Sequence, residues 1–116
     1  MNYKIERLRQ ATNDLDAIFD FLVESYLNFG DSLESAVSRS AQRVERIKAD
    51  LRSLATLPHR GIRHDDLVLG LRSVTIDRAI FYFTVDDEAR VVRVLAVFFG
   101  GQEHQRAMLK RLLSEG

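Results

Sequence analysis

The hydrophobic period along most of this chain changes from about 3.6 to 2 at Pro58. Before it, apolar residues recur every three or four positions: Leu15, Ile18, Phe19, Leu22 and Tyr26, then Leu33, Val37, Ala41, Val44, Ile47, Leu51 and Leu54. After it, residues 67–74, 76–85 and 90–99 are rich in β-branched and aromatic side chains and alternate with a period of two. The main helical and strand segments are therefore segregated along the chain, the pattern of an α+β domain.

Local signals place the elements. Tyr3 to Leu8 alternates and stops at Gln10-Ala11-Thr12-Asn13, which predicts a first strand followed by an N-cap. The first helix is predicted from Thr12 to about Gly30, a natural residue to follow a helix end, with Asp14, Asp16 and Asp20 near the positive end of its dipole. Asp31-Ser32-Leu33-Glu34 resembles a capping box and opens a second helix, and so short a link forces an antiparallel αα-hairpin. Pro58 ends that helix, and residues 57–66 form an ordered loop rich in Arg and His. Three strands then meander, the last two joined across Asp86-Asp87-Glu88-Ala89. Gly100-Gly101 breaks the final strand, and Gln102 to Leu113 reads as a short terminal helix.

The chain has 116 residues, 46% of them apolar and 29% charged, so residues 1–116 are expected to form a single domain with a real core. The absence of cysteine excludes disulfide scaffolds, thiolate catalysis and Cys-ligated metals. The longest unbroken apolar run, Val94 to Phe99, is far short of a membrane span, and the amino end shows no signal-peptide core, so a cytoplasmic protein is expected. Seventeen basic and seventeen acidic residues cancel, leaving any attraction for a polyanion to a local patch. Charge is sorted: residues 11–29 hold Asp14, Asp16, Asp20 and Glu24 with no base, whereas 52–64 hold Arg52, Arg60 and Arg63 with His59 and His64.

Strict alternation puts Ala79, Phe81, Phe83 and Val85 on the core face of one strand and Arg78, Ile80, Tyr82 and Thr84 on the other. It puts Val92, Val94, Ala96 and Phe98 on the core face of the last strand, yet Arg93, Leu95, Val97 and Phe99 opposite are also largely apolar. A helical hairpin covers one side only. The reverse face, apolar and interleaved with Arg72, Arg78 and Arg93, must be covered by a partner or by the terminal helix.

Several short motifs occur in a characteristic order: Ala11-x-x-Asp14-Leu15-x-x-Ile18-x-x-Phe21, Leu57-Pro58-x-x-Gly61, Leu71-Arg72, Ile80-Phe81-Tyr82 and Arg93-Val94-Leu95-Ala96-Val97-Phe98. Together they resemble the ParE/RelE superfamily of toxins from type II toxin–antitoxin systems, over nearly the whole chain. The resemblance implies a strand, an αα-hairpin, a three-stranded antiparallel meander and a short terminal helix. It implies a growth-arresting protein neutralised by a small ParD/RelB-like antitoxin. Its members act in two ways: ParE-like ones inhibit DNA gyrase by binding it, and RelE-like ones cleave mRNA on the ribosome. Phe98-Phe99-Gly100-Gly101-Gln102-Glu103-His104 departs from members with His or Arg straight after the last strand.

A ribonuclease reading needs cations and an acid–base pair. Its candidates are Arg72 and Arg78 with His104, which lies beside the last strand; His59 and His64 lie elsewhere. With no tyrosine after Tyr82 and only three lysines, that set is incomplete, which favours ParE-like inhibition and leaves the question of an enzyme open; a non-toxic interaction domain is the third reading. Partner and target contacts are expected at Arg60, Arg63, Leu71, Arg72, Arg78, Ile80, Tyr82, Arg93, Leu95 and Val97, and on the outer stripe of the hairpin. His59, His64, Asp65 and Asp66 are of ligand type but match no metal-site spacing, so neither metal nor cofactor is expected.

Overall fold

The computed structural model describes residues 2–100 and 103–114. Strand β1 (Lys4–Arg7) leads into helix α1 (Arg9–Asn28) and helix α2 (Leu33–Arg52), which a 3-10 turn (Ser53–Ala55) extends. Strands β2 (Ile62–Arg63), β3 (Arg72–Ile76), β4 (Ala79–Asp86) and β5 (Val91–Phe99) follow, then helix α3 (His104–Ser114). Among the described residues the strands form one sheet in the order β1-β5-β4-β3-β2, with β1 parallel to β5 and the rest antiparallel. This is the expected α+β architecture. The expected start of the terminal helix at Gln102 lies outside the described residues.

The hairpin connection follows from local chemistry. Gly30 takes φ +98° directly after the C-cap Phe29; its N–H bonds to Leu27 O, and the N–H of Asp31 reaches back to Tyr26 O, so orphan carbonyls of α1 are satisfied. Ser32 caps α2 by accepting from Ser35 N–H at 3.1 Å. Helix α1 starts earlier than Thr12, behind Leu8, which supplies no side-chain cap. The buried stripe of α2 also differs from the expected one. Ala36 and Ser40 face inward, and Leu33 is 63% exposed, because small side chains let the two helices approach closely at the hairpin tip.

Two turns break the expected strands. Residues 67–70 belong to a turn in which Gly70 N–H bonds to Asp65 Oδ1 at 2.8 Å, so β3 begins only at Arg72. Asp77 and Arg78 form the two-residue loop between β3 and β4, with Ile76 paired to Ala79 and φ of +48° and +73°. Positive φ at both central residues is the type I′ hairpin geometry. Arg78 is therefore a turn residue and not part of a strand face.

Of the two expected covers for the reverse face, the terminal helix is the one found, and a bulge in β5 changes which residues lie on that face. Tyr82 pairs with Ala96 and Phe83 with Val94, so Leu95 is an extra residue in β5, a β-bulge. The bulge inverts the parity of everything after it. Val92, Val94, Val97 and Phe99 pack with Ala79, Phe81, Phe83 and the α1–α2 hairpin, whereas Ala96 and Phe98 turn to the other side. There they meet Leu71, Ile80, Tyr82 and, from α3, Met108, Ala107 and Leu112. The chain's own terminal helix thus covers the reverse face, and Leu71, Ile80, Tyr82 and Val97 are buried. Among the described residues no uncovered, partner-seeking flank remains on that side.

Candidate functional site

The arginines expected to share the reverse face are dispersed. Arg72 is paired opposite Phe83, hence on the hairpin side of the sheet, where its Nη1 donates to His59 O at 3.0 Å. Arg93 lies on the other side, between Glu6 at 3.2 Å and Asp86 at 3.5 Å. Arg78 sits in the turn. His104, at the start of α3, holds Tyr82 through Nδ1 to the phenol oxygen at 2.9 Å, and burial pushes the Tyr82 phenol above its ordinary range. The candidate nuclease set of Arg72, Arg78 and His104 therefore occupies three separate places. Arg60 precedes Gly61 and is half-buried, and Arg63 is exposed at the end of β2, opposite Arg72 and paired to Asp65 at 3.0 Å.

The loop histidines are engaged separately. His64 Nε2 meets Ser73 Oγ at 2.7 Å, and His59 Nε2 meets Asp87 Oδ1 at 2.7 Å. The Tyr3 hydroxyl donates to the same Asp87 oxygen at 2.6 Å, and these two bonds, Tyr3 first, hold the Asp87 carboxyl below its usual range. Among the described residues no three His, Asp or Glu side chains gather to hold an ion.

What the structure offers a partner instead is a groove on the hairpin side. Strand β1 pairs with β5 only as far as Val94, so among the described residues the edge of β5 beyond it has no strand neighbour. There Val97 N–H donates to Asp14 Oδ2 of α1 at 2.9 Å, and the space between α1 and this edge opens as a groove of about 530 Å3. Ala17, Ile18, Phe21, Val97, Phe98 and Phe99 line it, with Asp14 and Arg111 at one end and Arg78 on the rim. A second groove of about 460 Å3 shares Phe21, Arg78 and Phe99 and continues past Ser25, Tyr26 and Phe29 to Arg43 and Arg46.

This surface is apolar and cationic. Phe21 is 56% and Phe29 89% exposed, and the guanidiniums of Arg43 and Arg78 lie 5.1 and 5.7 Å from the centre of the Phe99 ring. Arg43 donates to Asp77 Oδ2 at 2.7 Å and to the Asp77 carbonyl, which draws the Asp77 carboxyl below its usual range; Arg46 and Arg78 add to that pull. Among the described residues neither Arg46 nor Arg78 has a carboxylate at ion-pair distance. Alternation alone could not reveal the groove, because its floor depends on the bulge and its rim on a turn read as strand; the apolar residues Phe21 and Phe29 outside the α1 stripe were the available signal.

No protein-family model and no curated protein matches this sequence. Solved structures do. A chain of the chromosomal ParDE toxin–antitoxin system from P. aeruginosa is similar with a TM-score of 0.63 and 21% identity, over 84% of this chain and 95% of that one. A chain of the RelBE2 toxin–antitoxin complex from Mycobacterium tuberculosis is similar with a TM-score of 0.59 and 16% identity, over 88% and 95% respectively. The fold is thus the one found in ParDE and RelBE complexes.

Proposed function

We propose that this chain is the toxin of a type II toxin–antitoxin pair and that it acts in the ParE-like manner, arresting growth by binding and inhibiting a target such as DNA gyrase. The observation that carries this reading is the apolar groove of Phe21, Phe29 and Phe99 with its surplus of guanidinium charge, on a fold found in two toxin–antitoxin complexes. Four arginines and two aspartates line it, so its complement is an acidic amphipathic segment. A small ParD/RelB-like antitoxin whose tail folds on binding supplies such a segment. On this reading the antitoxin contacts Arg78 and the outer stripe of the hairpin, as expected from the sequence, with Arg60, Arg63 and Arg72 left for the target. The dispersal of Arg72, Arg78 and His104 counts against ribosome-dependent cleavage by that set.

Induced expression tests this. Growth arrest, relief by co-expression of a small protein from an adjoining reading frame, and chromosome breakage in arrested cells are the expected results. Unchanged growth without any partner removes the toxin reading. Arrest with intact chromosomes and ribosome-phased mRNA cuts replaces gyrase inhibition with the RelE-like alternative.

A further inference from the structure

The β3–β4 turn is the most strained backbone on the rim of the groove. A type I′ turn needs φ above zero at both central positions and is ordinarily Asn-Gly or Asp-Gly. Asp77 suits the first position, since its short side chain tolerates the left-handed region. Arg78 does not suit the second, where its φ of +73° brings Cβ against the following carbonyl. Glycine there would relieve the backbone, so the side chain must be what the position provides.

Its surroundings indicate for what. The Arg78 carbonyl is fixed by Gly100 N–H at 3.1 Å, the guanidinium hangs over Phe99, and the side chain borders both halves of the groove. The adjacent acid, Asp77, is already held by Arg43. The position thus combines a fixed root and an aromatic support with a guanidinium that, among the described residues, has no carboxylate at ion-pair distance, on the rim shared by the two halves of an apolar groove.

We propose that Arg78 is the specificity anchor of this groove: it clamps a carboxylate of an acidic, amphipathic helical segment whose apolar side chains lie on Phe21 and Phe99. The turn accepts backbone strain to present that guanidinium. This rests on the partner reading above and deepens it by naming the residue and the chemistry that select the partner.

The test uses a synthetic amphipathic peptide of about five helical turns, with leucines at i, i+3 and i+4 spacing flanked by glutamates, and a twin with lysines for glutamates. Binding is read by fluorescence anisotropy against wild type, Arg78→Gly, Arg78→Gln and Phe21→Asp, and each variant is melted. Wild type should prefer the acidic peptide. Both Arg78 variants should bind it about 10- to 100-fold more weakly, while Arg78→Gly melts about 2–5 °C higher than wild type. Retained affinity in both Arg78 variants, with loss in Phe21→Asp, overturns the anchor and leaves the groove reading standing. Equal or absent binding of the two peptides by wild type overturns both. A lower melting point for Arg78→Gly removes the strain on which the assignment rests.

Discussion

Asp14 and Arg111 stand 97 positions apart in the chain and meet through two parallel hydrogen bonds, Nη1 to Oδ2 at 2.7 Å and Nη2 to Oδ1 at 2.8 Å. Oδ2 also accepts from Val97 N–H, and the Arg111 guanidinium lies 5.2 Å from the centre of the Phe98 ring. One carboxylate therefore ties the first helix, the free edge of β5 and the terminal helix together. The pair is largely shielded, so removing one partner leaves a poorly solvated charge.

Arg111→Ala should accordingly lower unfolding free energy by about 2 kcal/mol. It should also raise hydrogen exchange in α3 before the rest of the protein. Asp14→Asn, which keeps an acceptor for Val97 N–H, should cost less. Urea unfolding of both variants checks the order; an unchanged midpoint for Arg111→Ala would remove the pin from the account of how α3 is held.

Tyr82 reports whether α3 stays docked. Its ring is fully buried between His64, Phe98 and His104, and its hydroxyl bonds only to His104 among the described residues. Tyr82→Phe should cost about 1 kcal/mol. Because burial raises the phenol's pKa, the folded state holds this proton more tightly than the unfolded chain does. That contribution is complete below the unfolded value of about 10 and is lost as pH rises through the folded one. Melts between pH 8 and 11, an interval chosen to bracket about 10, should fall less steeply in Tyr82→Phe than in wild type.

Local features of the fold were legible in the sequence because local residues cause them. The period change at Pro58, the helix end at Gly30 and the cap at Ser32 each depend on a few neighbouring side chains. The features that create the groove were not legible. The bulge at Leu95 left no trace in a strand apolar on both sides, so Val97 and Ala96 were assigned to the wrong faces. The Asp77–Arg78 turn lacks the glycine that marks type I′ turns, and Asp14 meets Arg111 only once the whole chain has folded. The α2 stripe misled for a different reason: Leu33 and Val37 fit the helical period as well as Ala36 and Ser40 do, and only tertiary approach decides between them.

Leu33 would be a core residue by pattern and is a surface residue by position. Leu33→Ala should change stability by less than about 0.5 kcal/mol, whereas Leu51→Ala, in the buried stripe, should cost about 2–5 kcal/mol. Chemical denaturation separates the two, and comparable losses would restore the stripe read from periodicity.

Gly61 closes the Leu57–Gly61 motif for a steric reason. Its φ is +90°, and a Cβ placed on it would run into the Ser73 carbonyl oxygen on β3. Gly61→Ala should cost about 3 kcal/mol from the left-handed backbone and the clash together, and should detach β2 from β3. Loss of exchange protection at His64 N–H, which bonds to Leu71 O at 2.7 Å, is the local readout. An alanine variant as stable as wild type would mean that the loop is held some other way.

The Tyr3–Asp87–His59 cluster joins the amino end, the β4–β5 turn and the loop before β2 through one carboxylate, and it contributes to the loss of stability in acid. Hydrogen bonds from Tyr3 and then His59 lower the Asp87 pKa, so the unfolded chain binds this proton more readily than the folded protein. The stabilisation is present above the unfolded value of about 3.9 and disappears as pH falls through the folded one. Asp87→Asn should therefore lose stability at pH near 6 and lose less near pH 3, below the unfolded value of about 3.9. Thermal melts at those two pH values check the sign: an equal loss at both would mean that the side chain acts through packing and that its charge contributes nothing.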